Sequence, residues 1–241
     1  MAGTRINEFN QEIGFAIENW STRELPQRVT FTGKYCELQP LNIEKHASQL
    51  YESYESSGNS IWTYVPCGPF ASLQDFKDFI NKCNSDDKSV FFAVIDKSSG
   101  RAVGMISLIS VNEQNGSIEV GYVIYSGHLK KTPIATEAQY LLMKYAFDEL
   151  KYRRYEWRCD SLNKPSSNAA KRLGFTVEGT FRQAMVYKGR SRDTTYLSII
   201  DSEWKTCQEA FEKWLSPDNL VNGVQKRSLN DIRDQCREKS K

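Results

Sequence analysis

Two adjacent lysines stand just before an amphipathic helical pattern in the segment GHLKKTPIATEAQYLLMKYAF, residues 127–147. Proline is favoured at the first position of a helix and threonine is an acceptable cap before it, so Thr132 and Pro133 predict a helix start. The unpaired N–H groups of such a start, together with Lys130 and Lys131, would form an anion site, most naturally for phosphate. The alternative is a solvated surface, where lysines beside a helix are common.

The composition of the 241-residue chain is that of a globular protein, with 39% hydrophobic and 12% aromatic residues, enough to bury a core. The formal net charge is only +2, from 32 basic and 30 acidic residues. Proteins that bind nucleic acid through its phosphates usually carry a larger basic excess. We therefore expect no nucleic-acid partner, because strand alternation alone accounts for the basic and aromatic run KYRRYEWR.

The cysteines and the hydrophobic runs indicate the compartment. Six cysteines are scattered without a CxxC pair, and only two histidines accompany them, which favours reduced thiols over a metal site. No apolar run approaches the roughly 20 residues of a membrane span, and the first residues lack a charged start followed by an apolar block. We expect a soluble cytoplasmic protein with no metal and no membrane association.

The first third of the chain predicts an irregular arm over residues 1–28, then a strand that ends at Pro40. Apolar residues at helical spacing predict a helix in LNIEKHASQLYESYESS and a second in SLQDFKDFINKCN, which Ser72 would cap. The loop between them, WTYVPCGPF, is aromatic and contains two prolines.

Three strands follow, in SVFFAVID, AVGMISLISV and SIEVGYVIY, separated by turn residues, so they predict an antiparallel meander. Side chains alternate between the two faces of a strand. Applied to the third strand, alternation predicts one face with Ile118, Val120, Tyr122 and Ile124, and an opposite face with Glu119, Gly121 and Val123.

The remaining pattern predicts a helix over residues 134–150, and then a strand in RRYEWRCD that would pair in parallel with the preceding one. A short helix should end at Gly174, followed by a hairpin that turns at Lys188 and Gly189 and by a terminal helix in SEWKTCQEAFEKWL. The predicted organisation is an arm (1–28), one domain (29–215) and a polar tail (216–241).

The order of these elements, with several short runs, resembles the GNAT acetyltransferases, and within them the RimL-like branch of ribosomal-protein acetyltransferases. The resemblance lies in IEVGYVI, in ATEA at a helix start and in NKPSSNAAKRLGF. The runs EGTFRQ and KGRSRDTTYLSIIDSEW resemble a largely uncharacterised subgroup. The resemblance implies an α/β (α+β) fold, in which a mixed, mostly antiparallel sheet has a splayed central pair of parallel strands and helices on both faces.

The resemblance also implies that acetyl-CoA binds where the two parallel strands splay. The pantetheine arm would hydrogen-bond to main chain of the first strand, with Val123, Ile124 and Tyr125 as candidates. The family's pyrophosphate loop, Q/R-x-x-G-x-G/A, aligns with residues 130–135. The candidate contacts there are Lys130, Lys131, Thr132, Ile134, Ala135 and Thr136. Pro133 departs from the pattern because it has no N–H to donate, so the alternative is weaker cofactor binding.

For transfer, an amine must lose a proton and the leaving thiolate is helped by gaining one. In the RimL-like branch the serine of N-x-x-S would protonate the thiolate and the asparagine would hold the pantetheine, which carries over to Ser166 and Asn163. Asparagine and serine are also ordinary loop and cap residues. Glu119 is the candidate base, although a strand glutamate is commonly solvent-facing or salt-bridged, and Asp160 and Glu178 are weaker candidates.

The acceptor amine is expected between the first two helices and the closing hairpin, with Trp62, Tyr64, Phe70 and Arg182 as candidate contacts, although the aromatic residues could equally pack against the sheet. The predicted function is transfer of acetyl from acetyl-CoA to a primary amine, on a small molecule or a protein N-terminus, by direct attack. The alternative is a catalytically weak acyl-CoA-binding module. A monomer or a homodimer is compatible with the sequence.

Overall fold

A computed structural model describes residues 3–130, 132–221 and 224–239. Its centre is an eight-stranded sheet in the order β3-β4-β5-β6-β7-β8-β10-β9. The strands are β1 (Arg5–Ile6), β2 (Glu12–Ile13), β3 (Phe31–Thr32), β4 (Cys36–Pro40), β5 (Val90–Asp96), β6 (Arg101–Asn112), β7 (Ser117–Tyr125), β8 (Arg154–Asp160), β9 (Thr176–Tyr187), β10 (Arg190–Ile200), β11 (Leu220–Val221) and β12 (Val224–Gln225). All neighbours in this sheet are antiparallel except β7 and β8, which are parallel.

Helices cover both faces of the sheet. They are α1 (Ile43–Glu55), α2 (Leu73–Asn84), α3 (Pro133–Lys144), α4 (Lys164–Leu173), α5 (Asp201–Leu215) and α6 (Leu229–Lys239), with short 3-10 turns at Asn59–Trp62, Gly127–Leu129 and Pro217–Asn219 and a π-helical turn at Tyr145–Glu149. On one face, Leu50 of α1 and Phe76 of α2 are fully buried against the sheet. On the other, Leu142 of α3 and Phe211 of α5 are fully buried. The predicted fold class is confirmed.

Local signals in the sequence position these elements. The Ser72 side chain accepts a hydrogen bond from the Asp75 N–H and caps α2, as predicted. Gly174 ends α4 with φ of 112°, in the left-handed region that glycine adopts without a steric penalty. Lys188 and Gly189 have positive φ at the turn between β9 and β10, so the predicted hairpin is also confirmed.

The predicted alternation of β7 is wrong beyond Gly121. Tyr122 has φ of 45°, and the register against β6 shifts there, which marks a β-bulge. Ile118 and Val120 pack in the core beneath α3 and α5, but Tyr122 and Ile124 pack with α1 and α2 on the opposite face. The bulge therefore reverses the two faces for the rest of the strand.

The two ends of the chain differ in how much regular secondary structure they contain. Residues 14–30 contain no helix or strand, and the Tyr152 hydroxyl holds this arm by donating to the Glu24 carbonyl at 3.0 Å. In the polar tail, Leu229 and Ile232 of α6 are buried in the core, so the tail is more ordered than its polarity indicates. The division into arm, domain and tail stays a prediction. Across the described residues, no helix has the length and apolarity needed to cross a membrane.

Candidate active site

The parallel strands β7 and β8 separate partway along their length. Their ladder ends at Val120, opposite Trp157, although β7 continues to Tyr125 and β8 to Asp160. Each strand stays paired with its other neighbour, β6 or β10. The two strands therefore diverge and leave a cleft whose walls carry main-chain polar groups available to a ligand.

The three main-chain candidates all lie on the diverging part of β7. The carbonyl of Ile124 already accepts a hydrogen bond from the Tyr54 hydroxyl at 3.1 Å. The Tyr125 hydroxyl is 3.5 Å from the carbonyl of Ala135, which ties this strand to the first turn of α3. The cleft and the start of α3 are therefore adjacent, and Val123 lies between the bulge and that link.

Helix α3 begins at Pro133, its first helical residue. A missing N–H at this position breaks no helical hydrogen bond. The Thr132 hydroxyl turns back and donates to the Leu129 carbonyl at 2.9 Å, and no side chain caps the helix. By contrast, side chains cap α1, α2 and α4. The start of α3 thus offers the N–H groups of Ile134 and Ala135 to an anion despite the proline.

The basic residues near this helix start include one that the sequence analysis did not single out. Lys130 is exposed, whereas Lys131 lies outside the described residues. Arg172, on α4, donates to the hydroxyl of buried Thr136 at 3.1 Å and its guanidinium lies 4.8 Å from the centre of the Trp214 ring. Among the described residues no carboxylate forms an ion pair with Arg172.

Ser166 and Asn163 occupy the first turn of α4. The Asn163 side chain caps the helix by accepting from the Ser166 N–H at 3.2 Å. The Ser166 hydroxyl accepts from Trp157 Nε1 at 3.0 Å. Because Trp157 is the last residue of the parallel ladder, this bond fixes Ser166 where the strands part. The Ser166 hydroxyl also hydrogen-bonds the Cys159 sulfur, which opposes the rise that burial causes in the pKa of that thiol.

Glu119 is buried, with 7% of its surface exposed, one residue before the end of the parallel ladder. Its Oε2 accepts from the Ser110 hydroxyl at 2.8 Å and lies 3.4 Å from Arg158 Nε. Burial raises the pKa of Glu119, and the Arg158 charge and the Ser110 hydrogen bond oppose that rise. The carboxylate is therefore salt-bridged and at the same time disposed to hold a proton.

A chain of ion pairs extends from Glu119 across the sheet, and we call it the charged ladder. Arg158 pairs with Glu156 at 2.8 Å, Glu156 with Arg154 at 2.6 Å, and Arg154 with Glu178 at 2.5 Å. The hydrogen bonds from Arg154 lower the pKa of Glu178, which makes it a poor base. The other weak candidate, Asp160, accepts a hydrogen bond from Tyr187 at 2.7 Å.

Two aromatic candidates for the acceptor side pack into or against the core. Trp62 is 4% exposed, with its ring 5.3 Å from Phe70 and 5.2 Å from Tyr54, so Trp62 and Phe70 pack within the layer of α1 and α2. Tyr64 is half-buried in the same loop. Of the three, Tyr64 is the aromatic side chain that takes no part in these ring contacts, so it is the one best placed to contact a ligand.

The tip of the β9–β10 hairpin is fastened over this loop. Lys188 Nζ donates to the Trp62 carbonyl at 2.7 Å, and Arg190 donates to the Thr63 carbonyl. We call these two bonds the hairpin clamp. They join segments that are 126 and 127 residues apart in sequence, and they attach the tip of the hairpin to the layer of α1 and α2, in which Trp62 packs.

Arg182 lines an open cavity of about 890 Å³ with Phe181, Asp193 and Tyr196. The Tyr196 ring lies 4.9 Å from the Arg158 guanidinium. The cavity therefore adjoins the charged ladder, and Arg182 is the acceptor candidate that the structure leaves exposed to solvent.

Comparisons with known proteins agree with this geometry. The sequence model of the acetyltransferase (GNAT) domain matches residues 36–176. A GCN5-related N-acetyltransferase from Brucella melitensis is 43% identical, with a TM-score of 0.87 over 90% of this chain and 100% of its own. A Bacillus subtilis protein named "Putative ribosomal N-acetyltransferase YdaF" is 33% identical over 70% of this chain and 91% of its own. The Escherichia coli ribosomal-protein-serine acetyltransferase is 31% identical over 42% of this chain and 56% of its own. The chain therefore belongs to the GNAT acetyltransferase family, in its RimL-like branch.

Proposed function

We propose that this protein transfers the acetyl group of acetyl-CoA to a primary amine by direct attack of the amine on the thioester. The observation that carries the proposal is the divergence of β7 and β8 beside the uncapped start of α3, with a buried carboxylate at the point of divergence. Membership of the GNAT family supports acetyl-CoA as the donor.

The residues present fit a CoA thioester. Main-chain groups of Val123 and Tyr125 would hold the pantetheine amides. The N–H groups of Ile134 and Ala135 would hold the pyrophosphate, because an uncapped helix start binds phosphate through its free N–H groups and its dipole. Thr132 and Thr136 flank these donors, and Lys130 would add positive charge. When bound, acetyl-CoA supplies an activated acyl group and a thiolate leaving group.

Glu119 and Ser166 would carry the proton transfers. Glu119 accepts a proton from the acceptor ammonium so that the free amine can attack, and burial suits it to this task because it raises the pKa of the carboxyl. Ser166 donates its hydroxyl hydrogen to the leaving sulfur. Its acceptor bond to Trp157 keeps that hydrogen directed away from the indole. Asn163 would orient Ser166 through the cap of α4.

The two proton carriers approach from opposite faces of the sheet. Glu119 is opposite Ile109 in the β6–β7 register and shares the face of α1 and α2, where Ile109 packs. Trp157, which holds Ser166, packs on the face of α3 and α5. The amine would therefore enter from the side of the charged ladder, and the thiol product would leave on the side of α3.

The acceptor would be a primary amine on a small molecule or on a protein N-terminus. The open cavity at Arg182 and the half-buried Tyr64 lie on the amine's side of the sheet. Among the relatives, two are named for ribosomal substrates and one for spermidine, so a protein N-terminus and a polyamine are the first acceptor classes to test.

The test combines binding with a screen for acetylated products. Acetyl-CoA at millimolar concentration should raise the melting temperature, because a ligand that binds only the folded state stabilises it. A cell extract supplied with isotope-labelled acetyl-CoA should give labelled amines with the wild-type protein and not with Glu119→Gln. No thermal shift would refute the donor, and binding without any labelled product would favour a catalytically weak acyl-CoA-binding module.

A further inference from the structure

Ser110 occupies an unusual backbone conformation beside Glu119. Its φ is 49°, and the register between β6 and β7 shifts between Ile109 and Asn112. A serine in the left-handed region is uncommon because its Cβ crowds the main chain. Such outliers persist where the surrounding structure holds them in place, and they cluster at functional sites.

The bulge turns the Ser110 side chain towards Glu119. In a regular ladder Ile109 and Glu119, which are directly opposite, would share one face and Ser110 would point to the other. The observed hydroxyl instead donates to Glu119 Oε2 at 2.8 Å. Val111, which would share Ile109's face in a regular strand, packs with the core of the opposite face. The bulge thus adds one residue to the Glu119 side of the sheet, and that residue is the one that binds the carboxylate.

Arg158 approaches the same oxygen from β8, the strand that flanks β7 on the side away from β6. Its Nε is 3.4 Å from Oε2 of Glu119, while its terminal nitrogen is held by Glu156 at 2.8 Å and its guanidinium lies 4.9 Å from the Tyr196 ring. Both contacts to Glu119 fall on Oε2. Within the part of the chain that the structure describes, no hydrogen bond reaches Oε1; the one to this carboxylate falls on Oε2.

We infer that Ser110 and Arg158 are positioning residues that hold Oε2 of Glu119 and leave Oε1 to take the proton of the acceptor amine. The inference rests on the proposed role of Glu119 as the base. The other charged or titratable groups that face Glu119 are Glu156 from β8, Arg192 from β10 and Tyr122 from its own strand. Glu156 is itself neutralised by Arg154.

The direction of the effect follows from the charge on the carboxylate. A hydrogen bond and a positive charge both favour the ionised form, so removing either should raise the pKa of Glu119 above its already raised level. A hydrogen bond to a charged group corresponds to a shift of about one pH unit or more. The acid limb of kcat/KM should move to higher pH by the same amount, with about a tenfold loss of rate below that limb.

The experiment measures the Glu119 pKa directly, by carboxyl carbon NMR titration assigned with Glu119→Gln. Ser110→Gly removes the hydroxyl and accepts the positive φ without a steric penalty, and Arg158→Met removes the charge. Both should raise the pKa of Glu119 by about one unit. Arg158→Lys keeps the positive charge and should raise that pKa by less than Arg158→Met does. The control is Lys151→Gly, which changes an exposed residue with φ of 59° and should leave the pKa unchanged.

The failure of this inference can be told apart from the failure of the proposed base. If the pKa stays the same in Ser110→Gly and Arg158→Met while Glu119→Gln abolishes the acid limb, the positioning role is wrong and the base stands. If the pKa rises in both variants but the acid limb of kcat/KM stays in place, Glu119 is not the base and the inference falls with it. Should Ser110→Gly not fold, Ser110→Ala provides the same titration.

Discussion

Glu137, the glutamate of the ATEA run, connects α3 to the turn between β3 and β4. Its removal tests how the helix that begins beside the cleft is held in place. The side chain is 3% exposed. Its carboxylate accepts N–H bonds from Lys34, Tyr35 and Cys36 at 2.7, 2.7 and 2.8 Å. Gly33 completes the contact, because a Cβ there would stand 2.5 Å from the Glu137 carboxyl.

The expected loss follows from these three bonds. A hydrogen bond to a charged group contributes about 1.5–3 kcal/mol. The three share one carboxylate, and the N–H groups of Lys34 and Tyr35 are only partly buried and can regain water. We therefore expect Glu137→Ala to lower the free energy of unfolding by about 3–5 kcal/mol. That is a large part of the stability of an ordinary domain, which is about 5–15 kcal/mol.

Urea unfolding followed by fluorescence measures this loss. Gly33→Ala should show a smaller loss of the same kind, since it displaces the carboxylate without removing it. Glu149→Ala is the matched control, because Glu149 is exposed and its replacement should change stability by no more than about 0.5 kcal/mol. A decrease below about 1 kcal/mol in Glu137→Ala, with an unchanged denaturant dependence, would refute the argument.

Three further predictions concern the cleft and the charged ladder. Ser166→Ala should lower turnover per folded molecule by about 100-fold or more and leave acetyl-CoA affinity nearly intact, as calorimetry would measure; near-normal turnover would remove Ser166 from the mechanism. Lys130→Ala and Arg172→Met should each weaken CoA by about tenfold and leave pantetheine unaffected; equal losses for both ligands would place these cations elsewhere. The pKa of Glu178 lies below its usual 4.5 because Arg154 holds the carboxylate, so the pair stabilises the fold above that pH and loses its effect as the pH falls through the lowered value. Glu178→Gln should therefore reduce the urea midpoint near pH 7, and the reduction should shrink as the pH falls through the lowered pKa; a reduction that does not change with pH would contradict the assignment.

Elements set by local chemistry could be predicted from the sequence. Ser72 begins a helix because its side chain competes well for a free N–H, and Gly174 ends one because it adopts positive φ. These features depend on a few neighbouring residues. The meander and the parallel pair were predicted from turn residues and from the strand–helix–strand pattern, and the resemblance in element order and short runs added the splay of that pair.

The bulges could not be predicted. Ser110 and Tyr122 both have positive φ, yet neither is a residue type that signals it, and alternation assigned the wrong face to Tyr122 and Ile124. The bulge conformation is imposed by tertiary packing, on Ser110 by its bond to Glu119 and on Tyr122 by rings of the α1 and α2 layer such as Phe91. Because the two bulges flank Glu119, the sequence predicted Glu119 as a candidate base and missed Ser110, which hydrogen-bonds its carboxylate.

Long-range contacts were equally inaccessible. Glu137 binds residues 101 to 103 positions away, and its spacing in ATEA carries no sign of that partner. Arg172 was noted only as part of the RLGF run, and its place beside Thr136 depends on how α4 packs against α3. Trp62 and Phe70 could be either wall or core from the sequence; in the structure Trp62 is buried in the core and Phe70 is partly buried against it.

The hairpin clamp has a consequence for substitutions in the aromatic loop of this chain. Lys188 and Arg190 bind the carbonyl oxygens of residues 62 and 63. A main-chain carbonyl is present in every type of residue. Substitutions in the aromatic loop, at Tyr64 for example, can therefore accumulate without removing the bonds that fasten the hairpin. The side chains of this loop can therefore change while its attachment to the hairpin is kept.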